Sequence, residues 1–179
     1  MDERKVIVYI AVSLDGYIAK EDGSIDWLDP EIVEEDTTYE DFYRDIDTVI
    51  LGRTTYDQIV TELSPGQYPY EKCESFVLTS RDNISQEEHI HFVHQPVTKL
   101  VKQLKAKKGK NIWIVGGNSL IDPLVSENLI DEYILAVVPI IIGKGIPLFH
   151  QIKREAHLKP VCSYTKNDLT YLFFKKQED

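Results

Sequence analysis

Three short segments of this chain carry groups suited to holding an anion. In Ile112-Trp113-Ile114-Val115-Gly116-Gly117-Asn118-Ser119 an apolar run breaks into paired glycines ahead of a helical pattern. Two adjacent residues without a Cβ let backbone N–H groups come close to a bulky anion such as a pyrophosphate, although a glycine pair after a strand also makes an ordinary strand-to-helix turn. Gly52-Arg53-Thr54-Thr55 repeats the arrangement after Thr48-Val49-Ile50-Leu51. Arg53 could grip a phosphate with two nitrogens, and Thr54 and Thr55 offer hydroxyls beside the unpaired N–H groups of a helix's first turn. Read more plainly, one threonine is a helix cap and Arg53 a surface charge. The third segment, Thr79-Ser80-Arg81, closes the apolar run Ser75-Phe76-Val77-Leu78. Ligands of open α/β sheets sit at strand ends, so three such segments together point to a phosphate-bearing cofactor.

The elements that must position these segments can be read from periodicity. Lys5 to Ser13 is apolar at alternate and intervening positions, as a strand covered on both sides requires. A loop with the turn cues Asp15-Gly16, Asp22-Gly23 and Ser24 then runs to Trp27. From Pro30 to Asp47, Ile32, Tyr39, Tyr43 and Ile46 fall near helical spacing among acidic residues, predicting an amphipathic helix with Asp29 as its cap. A second helix is expected from Gly52 to about Leu63, and Val97, Leu100, Val101 and Leu104 mark a third. Lys105, Lys107, Lys108 and Lys110 would complement that helix's dipole at its C-terminal end. Helical spacing resumes after Gly117, where Pro123 predicts either a late helix start or a kink. Tyr133 to Ile142 reads as a strand, Gly143-Lys144-Gly145-Ile146-Pro147 as a break, and Leu158 to Tyr164 with Leu169 to Phe174 as a terminal hairpin. Strands alternating with helices, then strands alone, predict an α/β mixed sheet with helices on its faces.

At 179 residues, 42% of them hydrophobic, the expectation is one domain spanning 1–179. Thirty acidic against twenty basic residues give a net charge of -10, which repels phosphate backbones and anionic membranes. Nucleic acid and membrane are therefore not expected as partners. The opening apolar run is too short and wrongly flanked for a spanning helix or signal peptide, so a cytoplasmic location is expected. Cys73 and Cys162 make no redox spacing and read as free thiols. His89 and His91 share one side of an alternating segment without the acidic or thiolate partners of a ligand set, and no metal is expected.

The chain resembles the dihydrofolate reductase-like superfamily, and within it the reductase domain of bifunctional riboflavin-biosynthesis proteins and their small stand-alone relatives. The resemblance rests on Ala11-Val12-Ser13-Leu14-Asp15-Gly16-Tyr17-Ile18-Ala19, Asp26-Trp27, Leu51-Gly52-Arg53-Thr54-Thr55-Tyr56, Leu78-Thr79-Ser80-Arg81, Val115-Gly116-Gly117-Asn118-Ser119 and Gly143-Lys144-Gly145-Ile146-Pro147-Leu148-Phe149. It implies a mostly parallel central sheet flanked by helices on both faces, with a C-terminal antiparallel hairpin. It also implies NADPH as cofactor and hydride transfer to a C=N or C=O carbon of a small heterocyclic or sugar-derived substrate. Ala11 and Ile18 would meet the nicotinamide carboxamide with backbone groups. Gly52, Arg53, Thr54 and Thr55 would hold phosphates, Ser80 and Arg81 would flank the adenosine 2′-phosphate, and Gly116, Gly117, Asn118 and Ser119 would close over the pyrophosphate through a cis Gly116–Gly117 peptide. Folate reductases place an acid a few residues after the loop tryptophan, where this chain has Ile32. Asp26, Glu31 or a water would then supply the proton. Folate reduction and nucleotide binding without turnover remain the alternatives to this activity. A homodimer is implied by the same resemblance, helped by the apolar surface of Val137 to Phe149.

Overall fold

Val6, Val8 and Val12 on one side of the first strand and Ile7 on the other are all buried, so that strand must lie inside a layered structure. The computed structural model describes residues 3–28, 35–82 and 87–177. Its strands and helices, in chain order, are β1 (Val6–Ser13), β2 (Tyr17–Ala19), α1 (Thr38–Arg44), β3 (Ile46–Gly52), α2 (Arg53–Gln58), β4 (Glu74–Leu78), β5 (Ile90–Val93), α3 (Val97–Lys105), β6 (Asn111–Gly116), α4 (Asn118–Ser126), β7 (Glu132–Val138), β8 (Ile146–Pro147), β9 (Leu158–Lys166) and β10 (Leu169–Lys176). The described residues form an eight-stranded sheet in the order β5-β4-β3-β6-β1-β7-β10-β9, parallel from β5 to β7, with β10 and β9 antiparallel at one edge. Val6, Val8 and Val12 pack with α3 and α4 on one face, while Ile7 packs with Tyr56 and Ile59 of the α2 region on the other, where Phe42 and Tyr43 of α1 also lie. The expected dihydrofolate reductase-like architecture, helices on both faces and a terminal hairpin, is thus observed.

Several elements differ from the sequence-based expectations. The helix expected from Pro30 to Asp47 is the seven-residue α1, because Ile46 is buried in β3 and pairs with Asn111 of β6. Asp29, Pro30 and Ile32 lie outside the described residues. Asp36, one residue before the Thr37 N-cap, accepts the Thr38 N–H at 2.9 Å. The second helix passes into a π-helical turn over Ile59–Leu63. Pro123 neither delays nor breaks α4, which is continuous from Asn118 to Ser126. The buried Leu120, Ile121, Leu124 and Val125 hold it to the sheet, and the Asp122 carboxylate is fixed from outside by the amides of His150 and Gln151. Lys105, the last residue of α3, pairs with Asp131 at 2.8 Å, and Lys110 Nζ donates to the Arg44 carbonyl at 2.7 Å. The strand expected to reach Ile142 stops at Val138, where Pro139 withholds a donor.

Two polar fastenings are invisible to periodicity. Arg4, only 6% exposed, donates to the Lys110 and Leu104 carbonyls and the Thr48 hydroxyl and pairs with Asp47, tying the start of β1 to β3 and the end of α3. At the opposite end of β1, the Asp15 carboxylate accepts the Ser13 hydroxyl at 2.7 Å and the amides of Ile142 and Gly143 at 3.1 and 2.7 Å. The loop after β1 and the glycine-rich loop before β8 are thereby joined, and β2 and β8 pair as a separate antiparallel ribbon. Gly145 lies so close to β2 that a Cβ there would stand 2.2 Å from the Ala19 carbonyl oxygen. On the outer edge, β9 is exposed from Lys159 to Thr165, and its pairing with β10 slips where Cys162 faces Phe173 and Pro160 faces Phe174.

Gly145→Ala is expected to lower stability by about 3 kcal/mol, since the obstruction is backbone and cannot rotate away. Urea unfolding of the variant beside the parent checks this; an unchanged midpoint would show that the ribbon can separate at little cost.

Candidate functional site

In a parallel sheet the C-terminal strand ends share one rim, and β4, β3 and β6 are adjacent in that order. Gly52 pairs with Leu78, and Leu51 with Gly116, so the three anion-suited segments leave neighbouring positions on that rim. Gly52 has extended backbone and opens α2, while Gly117, with φ of 27°, opens α4. A Cβ on Gly117 would lie 3.7 Å from Ser119 Oγ and 4.0 Å from Thr55 Oγ1, which places both hydroxyls around one point at the mouths of two helices. The Gly116–Gly117 peptide is trans, which corrects the expectation of a cis bond. The positive φ of Gly117 itself makes the bend into α4, a conformation that costs glycine little.

The arginines meet as well. Arg53 Nε donates to Asp57 Oδ1 at 2.6 Å, Arg81 Nη1 reaches Asp57 Oδ2 at 3.2 Å, and the Arg53 guanidinium lies over the rings of Phe92 and Tyr56. Two guanidiniums around one carboxylate leave an excess positive charge. Thr54, Ser80 and Ser119 are exposed nearby, and Ile18 is half-buried in β2. The Asn118 side-chain amide is committed elsewhere, donating to the Pro147 carbonyl at 3.0 Å and so linking α4 to the β2–β8 ribbon. Asp26 is exposed and paired with Lys20 at 2.7 Å. Glu31 lies outside the described residues.

Next to this rim a cavity of about 310 Å³ opens beside Ala11, walled by Tyr9, Leu28, Tyr39, Trp113 and Tyr171 among others. Its aromatic wall is preformed, with the Tyr39 and Trp113 rings 5.9 Å apart in edge contact. The Tyr171 hydroxyl donates to Asp36 Oδ2 at 2.7 Å, and Tyr9 is its hydrogen-bond neighbour on the other side. Burial opposes ionisation of Asp36, but the hydrogen bonds from Thr38 and Tyr171 outweigh it and hold the carboxyl below its usual range. Burial pushes Tyr9 up to about 12 and raises Tyr171 also, so both phenols are protonated at neutral pH. Neither Asp36 nor this tyrosine pair was singled out by spacing, because their meeting depends on β10 returning beside β7. In the same loop as Leu28, Trp27 Nε1 is the buried side-chain polar atom without a hydrogen-bond partner among the described residues. A larger hollow lined by Lys5, Asn111 and Glu132 lies near the N-terminal strand ends, away from the ligand rim. His89 and His91 both bond to Glu74, at 2.7 and 2.6 Å, and no group of three or more metal-binding side chains occurs among the described residues.

Residues 4–170 match the RibD C-terminal domain family. The chain belongs to that family. It is 48% identical over 157 residues to the uncharacterized Bacillus subtilis protein YwjB, covering 88% of this chain and 89% of YwjB. A second uncharacterized protein of that bacterium, YyaP, is 31% identical over 173 residues, 92% of this chain and 90% of YyaP. Among solved structures, a putative riboflavin biosynthesis protein from Shewanella sp. PV-4 superposes with a TM-score of 0.86 at 29% identity, covering 97% of this chain and 99% of that one. Dihydrofolate reductase from Enterococcus faecalis, in complex with NADP(H), shares the fold with a TM-score of 0.62 at 18% identity, covering 97% of each chain. This RibD C-terminal domain therefore carries the superfamily fold to which its glycine segments belong.

The hydrogen bonds to Asp36 favour its ionised form in the folded state, so its contribution to stability is present above the unfolded value near 3.8 and is lost as pH falls through the lower folded value. The stability difference between the parent and Asp36→Asn is expected to be largest near neutrality and to shrink on acidification below about pH 4. Chemical denaturation across pH 2.5–7 measures it, and a constant difference throughout would refute the assignment.

Proposed function

We propose that this RibD C-terminal domain is, as a single domain, an NADPH-dependent reductase that transfers hydride to a C=N or C=O carbon of a small heterocyclic or sugar-derived substrate. The observation that carries the reading is the meeting of Arg53, Arg81, Thr55, Ser119 and Gly117 on one rim of the sheet, beside an aromatic cavity that begins at Ala11. The donor set fits a phosphate-rich dinucleotide: two arginines for a dianionic phosphate, and hydroxyls and helix N-termini for a pyrophosphate. Gly52, Thr54, Thr55, Gly116, Gly117 and Ser119 would hold the pyrophosphate portion, and Ser80 and Arg81, with Arg53 gathered beside Arg81 by Asp57, the 2′-phosphate. Asn118 acts indirectly through Pro147. Ala11 and Ile18 would orient the nicotinamide end toward the cavity. The bound cofactor would supply the hydride, and the protein's part is binding, orientation and exclusion of water. The accompanying proton would come from Asp26, Glu31 or the Asp36–Tyr171–Tyr9 group. The last of these touches the cavity through its two phenols.

The reading is supported by a fold neighbour at 15% identity, a Thermotoga maritima diaminohydroxyphosphoribosylaminopyrimidine deaminase/5-amino-6-(5-phosphoribosylamino)uracil reductase, 57% of whose length this chain covers. A homodimer is part of the same reading. Leu14, Ile141 and Phe149 are 65%, 70% and 42% exposed around the glycine-rich loop, an apolar surface suited to a second copy. Sedimentation at micromolar concentration is expected to give the dimer mass, and a monomer would rule this out.

NADPH is expected to bind at least about tenfold more tightly than NADH, because a charge-assisted arginine contact to the 2′-phosphate is worth about 1.5–3 kcal/mol. Arg81→Ala is expected to remove much of that difference. Calorimetric titration of both cofactors tests it; equal affinities would overturn the assignment.

A further inference from the structure

Resting on the reading of Arg53 and Arg81 as the 2′-phosphate clamp, we propose that Asp57 is an internal stand-in for that phosphate. Its carboxylate occupies the clamp in the empty protein and opposes the incoming dianion, so that it limits cofactor affinity and speeds cofactor release. Each carboxylate oxygen serves one arginine, Oδ1 at 2.6 Å from Arg53 Nε and Oδ2 at 3.2 Å from Arg81 Nη1. Two oxygens of one phosphate would bridge the same two guanidiniums in the same way.

Such a carboxylate could orient the arginines or act on the ligand through its charge. Orientation comes largely from elsewhere. The Arg53 guanidinium lies 5.2 Å from the Phe92 ring centroid and 5.8 Å from that of Tyr56, and its side chain is 25% exposed. The turn that carries Arg81 is held by its own amide, which donates to Thr79 Oγ1 at 3.1 Å. The Arg81 side chain is 64% exposed, and a single ion pair does little to fix a long side chain in such a place. What is left to Asp57 is charge. The two guanidiniums alone match a dianion, whereas with Asp57 among them the group has a single net positive charge. A phosphate entering beside the carboxylate meets unused N–H donors and a like charge together; one that expels the carboxylate must first break its two bonds. Both routes weaken binding.

The effect is selective. A monoanion gains little by replacing a carboxylate that is already in place and tethered to the same helix as Arg53. A dianionic phosphate monoester gains attraction in the exchange, and on its departure Asp57 returns to the arginines.

The test is calorimetric titration of the full chain and of Asp57→Asn with NADPH, NADH and inorganic phosphate at pH 8, where a phosphate monoester is a dianion. Asparagine keeps an oxygen for Arg53 Nε and removes the charge. NADPH is expected to bind the variant about tenfold more tightly, to leave it more slowly in stopped-flow displacement, and to gain at least about fivefold over NADH. Inorganic phosphate is expected to bind the variant more tightly as well. Asp57→Ser gives the same result should the asparagine variant fail to fold. Asp82→Asn removes an exposed charge of the same sign next to Arg81 in sequence, without touching the clamp, and is expected to change these affinities by no more than about twofold. Unchanged or weaker NADPH binding by Asp57→Asn overturns the proposal and makes the carboxylate an orienting group. An equal gain in Asp82→Asn overturns it too, by assigning the effect to overall charge. Equal affinities of the parent for NADPH and NADH, with inorganic phosphate still tightened by Asp57→Asn, defeat the cofactor reading and uphold the role of Asp57; with no response to phosphate either, both fall.

Discussion

The candidate site depends on the close approach of Gly145 to the Ala19 carbonyl. No side chain fits between them, so the glycine-rich loop lies flush on β2, and everything attached to that loop is placed by the same contact. Asp15 binds the loop's first amides, and Pro147 at its far end accepts the Asn118 side chain. The loop after β1, the ribbon and the start of α4 therefore share one frame. The positions of Ile18 and Gly117 follow from it, while Ala11 is placed by the pairing of β1 with β7.

On the other side of the rim, charge does the placing. Asp57 holds Arg53 and Arg81 toward one another, so two cations that would otherwise repel are already gathered. A dianionic phosphate would find them in position and would have to displace or share a single carboxylate. The cavity beside Ala11 is walled among the described residues by aromatic and aliphatic side chains, and the Tyr171 hydroxyl on its wall donates to Asp36. A pair of arginines thus gathers on one rim of a chain whose overall charge is -10, which shows how little net charge says about one cleft.

Much of this was legible in the sequence, and what was legible has a common physical origin. Strong periodicity marked β1, β6 and α3, and the glycines at 52 and 116–117 marked where strands give way to helices. Those signals are local, and the rim they build follows from the parallel order of the strands. Long-range pairings were not legible. The β2–β8 ribbon, the Arg4 fastening and the Asp36–Tyr171 bond join residues up to 135 positions apart, and no window of sequence contains both partners. Pro123 misled because burial of its neighbours outweighs one missing donor, and the glycine pair misled because a positive φ at Gly117 makes the turn without a cis bond.

The exposed edge strand β9 has a consequence for the protein's behaviour in a crowded solution. A bare nine-residue edge is a template on which another chain could add a strand, the first step toward fibrous aggregates. Here Pro160 removes one donor from that edge, and the slip beside Val161 bends it out of register. Lys159 and Lys166 add positive charge toward its two ends. A docking strand would find an irregular row of partners, so the sheet ends at β9 and the terminal hairpin closes the fold without inviting its own propagation.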